Sequence, residues 1–236
     1  MRRSGEILQK VHQAVRQAVA PGATTMDLEV VAARTIKELG AQPAFKGYHG
    51  YPACLCTSVN DEVIHGIPSA KKVLAEGDIV SVDCGVILDG FYSDAAVTHP
   101  VGRLSQATRK LLDVTQQSLD QAIHEAQVGA TIGDIGAAVQ EMVEANGFSV
   151  VRDFVGHGIG RSMHEDPQVP NYGTRGKGSK LRAGMVIAIE PMVNAGVADV
   201  KVLEDGWTAI TADGAWSAHF EHTVAITESG PVILTR

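Results

Sequence analysis

Apolar positions recur at helical spacing in "SGEILQKVHQAVRQAV" (residues 4–19), behind a candidate Ser4 cap, and Pro21-Gly22 ends the pattern. A second helical stretch follows in "TTMDLEVVAARTIKELG", where Thr24 and Asp27 have the spacing of a capping box and Gly40 marks the C-terminal end. The same order returns later in the chain. "SQATRKLLDVTQQSLDQAIHEAQ" reads as a helix, and "VGATIGDIGAAVQEMVEANG" as a turn, a cap and another helix. Between the two helix pairs the period changes to that of strands: "IVSVDCGVIL" and "FYSDAAVT" flank Asp89-Gly90, a two-residue hairpin signal.

The two helix pairs are related by a fixed offset. "PGATTMDL" at 21–28 aligns with "VGATIGDI" at 128–135, 107 residues on, and Gly40 falls on Gly147 in the same register. Carried further, "EGDIVSVDCGV" at 76–86 lands on "AGMVIAIEPMV" at 183–193, which pairs Gly77 with Gly184 and Asp83 with Glu190. The expected architecture is therefore α+β, one compact unit over 1–236 made of two similar halves, about 1–107 and 108–236. Each half would supply helices followed by antiparallel strands, with a pseudo-twofold site between them. The glycine-rich "NYGTRGKGSKLRAG" at 171–184 reads as a mobile surface loop.

Composition narrows the class. A chain of 236 residues can bury a substantial core, and its charge and hydrophobic content are those of a globular domain with aliphatic rather than aromatic filling. A net charge of −7 supplies no field for a phosphate backbone, so no direct nucleic-acid substrate is expected, the two arginines of "MRR" notwithstanding. Cys54, Cys56 and Cys84 form neither a disulfide framework nor a paired zinc motif. With no apolar signal core and no membrane-length apolar run, these features place the chain in the cytoplasm, away from membranes.

The candidate chemistry lies in acids embedded in apolar strands. With Asp89 and Gly90 as the hairpin loop, Leu88 pairs with Phe91, Gly85 with Asp94 and Asp83 with Ala96. Asp83 and Asp94 then share one face as diagonal neighbours, with Cα atoms roughly 7–8 Å apart. Two such carboxylates in a half-buried sheet need a cation or a shared proton. Glu190 in "VIAIEPMV", Glu221 in "HFEHTVAIT" and His157 in "VGHGIG" complete a ligand set of four acids and one imidazole. Oxygen-rich ligation with one nitrogen suits two divalent ions drawn from Mn²⁺, Fe²⁺, Co²⁺ or Zn²⁺ and hydrolytic chemistry. His65 in "NDEVIHGIP" and His164 in "SMHEDP" are further candidates, able to stabilise an oxyanion or contact a scissile amide if they reach the metals.

Taken together, "HGIP", "VDCGVILDGFYSDAAVT", "GHGIGRSMHEDP", "IAIEPMV" and "FEHTVAIT" resemble the methionine aminopeptidases, in that family's motif order. The offset of 31 residues from Glu190 to Glu221 resembles the type I enzymes, since type II members carry a helical insertion there. The resemblance implies the pseudo-symmetric pita-bread fold of the M24 metallopeptidases. It also implies that Asp94 and Glu221 bridge two metals, Asp83 chelates one, and His157 with Glu190 binds the other. A metal-bridging hydroxide would attack the carbonyl carbon after an initiator methionine, with Glu190 relaying the proton, His164 on the carbonyl oxygen and His65 on the amide nitrogen.

Phe45, Tyr48, Tyr51, Cys56, Met163 and Trp207 match the positions lining the methionine pocket in similar enzymes, Met163 standing where phenylalanine is common. The resemblance further admits a monovalent cation, Na⁺ or K⁺, on backbone oxygens around Asn60, Glu62 and Ser217. The implied partners are N-terminal methionyl peptides and nascent polypeptides, hence the ribosome, met by a monomer. The competing readings are an Xaa-Pro peptidase of the same fold, which would usually carry an N-terminal domain, and a silent binding relative, which would lack a ligand.

Overall fold

Helix α1 (Arg2–Ala18) buries Leu8, Val11 and Val15, one stripe at helical spacing, and α2 (Thr25–Glu38) buries Leu28, Ala32 and Ile36 in the same way. The computed structural model describes residues 1–236. Ser4 is not the cap expected of it: α1 starts earlier, after Met1, and the Ser4 hydroxyl donates to the Met1 carbonyl from inside the first turn. Helices α3 (Gln106–Glu125) and α4 (Ile132–Ala145) form the second pair.

Beside two small three-stranded sheets, a nine-stranded sheet carries the rest. Its strands are β1 (Gln42–Pro43), β2 (Leu55–Val59), β3 (Ile79–Leu88), β4 (Phe91–Pro100), β5 (Gly156–Gly158), β6 (Glu165–Val169), β7 (Val186–Ile189), β8 (Glu221–Thr227) and β9 (Gly230–Ile233). The order across the sheet is β1-β3-β4-β8-β7-β5-β6, with β2 also on β3 and β9 also on β8. Every named pair is antiparallel. The chain is thus α+β in the pita-bread arrangement, a curled antiparallel sheet with four helices packed on one side.

The β3–β4 hairpin has the register expected from its turn, Leu88 opposite Phe91, Gly85 opposite Asp94 and Asp83 opposite Ala96. Asp89 and Gly90 both adopt positive φ, 51° and 77°, which gives the loop the twist that matches its strands. Side chains alternate about this ladder. Val80, Val82, Cys84 and Val86 point to α1 and α2 and form one core with them, while Asp83 and Asp94 occupy the other face. A second core joins α3 and α4 to Ile187, Ile189, Val224 and Ile226.

The 107-residue offset recurs in the backbone. The Thr24 amide donates to Asp27 and the Thr131 amide to Asp134, each at 2.7 Å. Isolated bridges join Thr24 to Val73 and Thr131 to Lys180. Gly77 and Gly184 hold φ of 94° and 92°. The segment 171–184 is irregular, as its glycines suggest, but it is fastened rather than loose. Gly133 donates to the Lys177 carbonyl, Gly176 to the Asp134 carboxylate, and Arg175 forks onto Glu141 while also reaching Glu125. The three cysteines are free and buried, and no helix is long and apolar enough to cross a membrane.

Candidate active site

The sheet register brings the acids together. Asp83 pairs with Ala96, and Ala96 with Glu221, so the three lie in one row across β3, β4 and β8. Asp94 is two residues along β4 from Ala96 and shares that face. Glu190 directly follows β7, whose Ile189 pairs with His222 of β8; the following residue therefore turns to the Glu221 face. His157 precedes Gly158, which pairs with Ile187, and alternation puts its side chain on the same side. Ligand atoms of Asp94, His157 and Glu221 all lie within 4.8 Å of one another. His157 Nε2 is 3.6 Å from Glu190 Oε1.

Backbone ties hold this face. The Asp94 amide donates to Thr223 Oγ1 at 2.9 Å, and that hydroxyl donates back to the Asp94 carbonyl at 2.8 Å, locking β4 to β8 at the point where both supply acids. The Asn171 side-chain amide donates to the Glu190 carbonyl at 3.0 Å. His157 Nδ1 donates to the Gly158 carbonyl at 2.8 Å, which fixes the tautomer and leaves the Nε2 lone pair pointing at the acids.

The electrostatics of the cluster are those of a cation site. Burial pushes Asp83, Glu190 and Glu221 well above the usual carboxylate range, with Asp94 adding repulsion to each, and burial lifts Asp94 to about 7. Asp83 Oδ1, Asp94 Oδ1 and Glu221 Oε1 are buried with no hydrogen-bond donor. No lysine or arginine lines the cavity to answer them. His157 is held down at about 4 by burial and is a neutral donor at physiological pH. Orphaned anionic oxygens beside a neutral imidazole fit divalent metal and do not fit an internal ion pair.

The cavity over these groups measures about 430 Å³ and is lined by all five candidate ligands, by His65 and His164 and by all six expected pocket residues, but not by Asn60, Glu62 or Ser217. One end is apolar: Phe45, Tyr51, Cys56 and Met163 pack as one cluster with Tyr48 and Trp207 against it. Tyr51 stands edge-on to Trp207, and its hydroxyl donates to the Leu55 and Gly66 carbonyls. The Cys56 thiol is buried beside Asp83 and raised well above its ordinary value, chiefly by burial, so it acts as a wall rather than a nucleophile. From the edge of this cluster Tyr48 Oη reaches His164 Nδ1 at 2.7 Å. Burial pushes His164 down, with His49 adding to it, and burial holds His65 at about 4, so both imidazoles are neutral near pH 7.

His49, Ile64, Phe154 and Val155 also line the cavity and were not foreseen. Phe154 meets His65 edge-on, with ring centroids 5.6 Å apart. His49 sits in left-handed backbone at φ 47°, inside "GYHGYP", where only its aromatic neighbours hinted at a site. Asn60 and Ser217 are adjacent, the Ser217 amide donating to the Asn60 carbonyl at 2.8 Å.

Known proteins resemble the chain along its whole length. The model of metallopeptidase family M24 matches residues 1–228. A protein of Clostridium perfringens named methionine aminopeptidase is 55% identical over 235 residues, covering 100% of this chain and 94% of its own length. Methionine aminopeptidase 1 of Bacillus subtilis is 50% identical, covering 100% and 95%. The crystal structure of methionine aminopeptidase from Thermotoga maritima superposes with a TM-score of 0.99 at 50% identity, over 100% of this chain and 95% of that one. The prolidase of Pyrococcus horikoshii, at 23% identity and a TM-score of 0.80, shares the fold over 60% of its length. With a family model matched almost end to end and relatives this similar, the chain belongs to metallopeptidase family M24.

Proposed function

We propose that this chain is a methionyl aminopeptidase, a hydrolase that removes the initiator methionine from peptides and nascent polypeptides with a small second residue. One observation carries the reading: five metal-ligand side chains of the expected types share one cavity with an apolar, sulfur-tolerant cluster of Phe45, Tyr51, Cys56 and Met163. Asp83, Asp94, His157, Glu190 and Glu221 would hold two divalent ions, Mn²⁺, Fe²⁺, Co²⁺ or Zn²⁺, which when bound supply Lewis acidity and a water acidic enough to act near neutral pH. A monovalent cation on backbone oxygens around Asn60, Glu62 and Ser217 would brace the adjoining turn.

The chain's own groups then divide the work. The Glu190 carboxylate takes the proton of the attacking water and passes it to the departing amine. Burial raises the Tyr48 phenol above its ordinary range, so its O–H stays on and donates to His164 Nδ1. His164 therefore carries its proton on Nε2, where it meets the carbonyl oxygen as negative charge grows. His65 contacts the scissile amide nitrogen, backed by the edge of Phe154. The pocket closes around the scissile bond, so a small second residue is preferred. The working unit is the whole chain as a monomer of two similar halves, acting in the cytoplasm on chains leaving the ribosome.

Hydrolysis of Met-Ala-Ser, Met-Lys-Ser and Xaa-Pro peptides, each with and without chelator, tests this reading. Chelator-sensitive release of methionine from Met-Ala-Ser is expected. Equal cleavage of the Met-Lys peptide counts against the small-residue preference, release before proline favours an Xaa-Pro peptidase, and binding without cleavage favours a silent relative.

A further inference from the structure

Glu190 has a neighbour that the ligand set does not use. His219, in the short strand Ser217–His219, is 2% exposed, and its Nε2 is buried without a hydrogen-bond partner. That nitrogen lies 4.0 Å from Glu190 Oε2, on the opposite carboxylate oxygen from the one that faces His157. His219 does not line the cavity, so it stands behind Glu190 and away from substrate.

The main chain of His219 is held rigidly. Its amide donates to Thr98 Oγ1 at 2.8 Å, and that hydroxyl donates back to the His219 carbonyl at 2.8 Å. Thr98 Oγ1 has one acceptor place left, filled by the Ser81 hydroxyl at 2.8 Å. Ser81 and Thr98 are cross-strand partners in β3 and β4, the two strands that carry Asp83 and Asp94. The frame holding the first pair of acids is therefore bonded to the residue behind Glu190.

A buried N–H left unpaired is costly, and Glu190 Oε2 is the anionic oxygen nearest this one. At 4.0 Å the two atoms are not hydrogen-bonded, and they become so once either side chain moves about 1 Å closer. We propose that His219 is a positioning residue for Glu190, its Nε2–H holding the carboxylate against the metal-binding face through an anchor that runs by Thr98 and Ser81 to the β3–β4 hairpin. The inference rests on Glu190 belonging to the metal site as read above.

Calorimetric titration of the chelated protein with Mn²⁺ alone, together with kcat and KM on Met-Ala-Ser, tests it in His219→Leu, His219→Gln, Glu190→Gln and the double variant His219→Leu/Glu190→Gln. Loss of a partner behind a ligand typically weakens metal binding about 10–100-fold. We expect His219→Leu to lose at least about tenfold in Mn²⁺ affinity and in kcat, with KM changed less than about twofold, and His219→Gln, which keeps a donor, to recover most of both. Because His219 acts through Glu190, the double variant should be no worse than Glu190→Gln alone. Multiplying losses in the double variant, equal losses in the Leu and Gln variants, or wild-type values in His219→Leu overturn the proposal. Unchanged Mn²⁺ binding and turnover in Glu190→Gln would instead remove Glu190 from the site, and with it the ground on which His219 is placed.

Discussion

Gly85 stands directly opposite Asp94 across the β3–β4 ladder, and the space its missing side chain leaves is taken by Phe45. A Cβ at Gly85 would meet Phe45 Cε1 at 2.7 Å and the Ala44 Cβ at 3.0 Å. The glycine thus lets an aromatic wall of the cavity close down beside Asp94. Gly85→Ala should push Phe45 into the cavity and destabilise the protein by about 1–3 kcal/mol, the usual cost of overpacking. KM for Met-Ala-Ser is expected to rise about tenfold with a smaller change in kcat, because the pocket and not the ligand set is disturbed. Steady-state kinetics beside urea unfolding check this, and an unchanged KM would show that Phe45 does not bound the substrate.

Asp94 is the acid whose charge presses on each of the other three. In the metal-free protein Asp94→Asn removes that repulsion, so the variant should be more stable than wild type at pH 8, by on the order of 1–4 kcal/mol as for other buried ionic clusters replaced by neutral groups. Asp94 is raised from its ordinary value to about 7, chiefly by burial, so the folded state binds its proton more tightly than the unfolded chain. The wild-type penalty is accordingly full above about pH 7 and fades as pH falls towards the ordinary carboxylate range, and the gap between the two proteins should close with it. The same variant should gain no thermal stability from Mn²⁺ and should release no methionine. Wild-type-like turnover in Asp94→Asn or Asp94→Ala would rule out the two-metal reading.

Which parts of this molecule were legible in the sequence follows from how far each interaction reaches along the chain. The β3–β4 register was readable residue by residue because Asp89-Gly90 fixes a two-residue loop, and from there Asp83 and Asp94 had to share a face. The capping pairs Thr24–Asp27 and Thr131–Asp134 are equally local. The placement of β8 between β4 and β7 was not readable, because sheet order between distant strands leaves no local trace. The segment 171–184 reads as loose because part of its anchoring is by backbone carbonyls meeting Gly133 and Gly136, where any Cβ would clash, and because its side-chain anchors, Arg175 to Glu141 and Glu125 and Asp134 to Gly176, join residues more than 30 apart. His219 and His49 carry no sequence signal for a related reason: a histidine's role depends on what tertiary structure sets beside it.

The hydrogen bond between Tyr48 and His164, at 2.7 Å, predicts a kinetic signature. Tyr48→Phe keeps the ring that walls the pocket but frees the His164 ring to flip or change tautomer. An interaction that matters as charge develops should show in kcat more than in KM, and a loss of roughly tenfold in kcat would match about 1.4 kcal/mol, the scale of one hydrogen bond. His164→Ala should lose more, and Tyr48→Phe should add little on top of it, since the tyrosine acts through the histidine. A Tyr48→Phe enzyme that loses affinity for methionyl peptides while keeping kcat would assign the phenol to binding instead.

His12 offers a test of acid sensitivity on the helical side of the sheet, away from the metal ligands. Its Nε2 donates to the Ala95 carbonyl at 2.9 Å from α1, and its Nδ1 is buried without a partner. Burial lowers His12 from 6.5 to about 4, against a smaller opposing contribution from the bond to Ala95. The unfolded chain therefore takes up this proton before the folded one does. The stabilisation from keeping His12 neutral is present above about pH 6.5 and is lost as pH falls towards 4, a swing of about 3 kcal/mol at most for a shift of this size. His12→Gln keeps a donor and removes the titration. Its stability should fall less than that of wild type between pH 7 and pH 4.5, although His99 and His222, also lowered by burial, retain their own acid sensitivity in both proteins. Chelated samples of the two proteins, unfolded in urea across that range, isolate the difference, and parallel stability curves would mean that the ring at His12 is already solvated in the folded state.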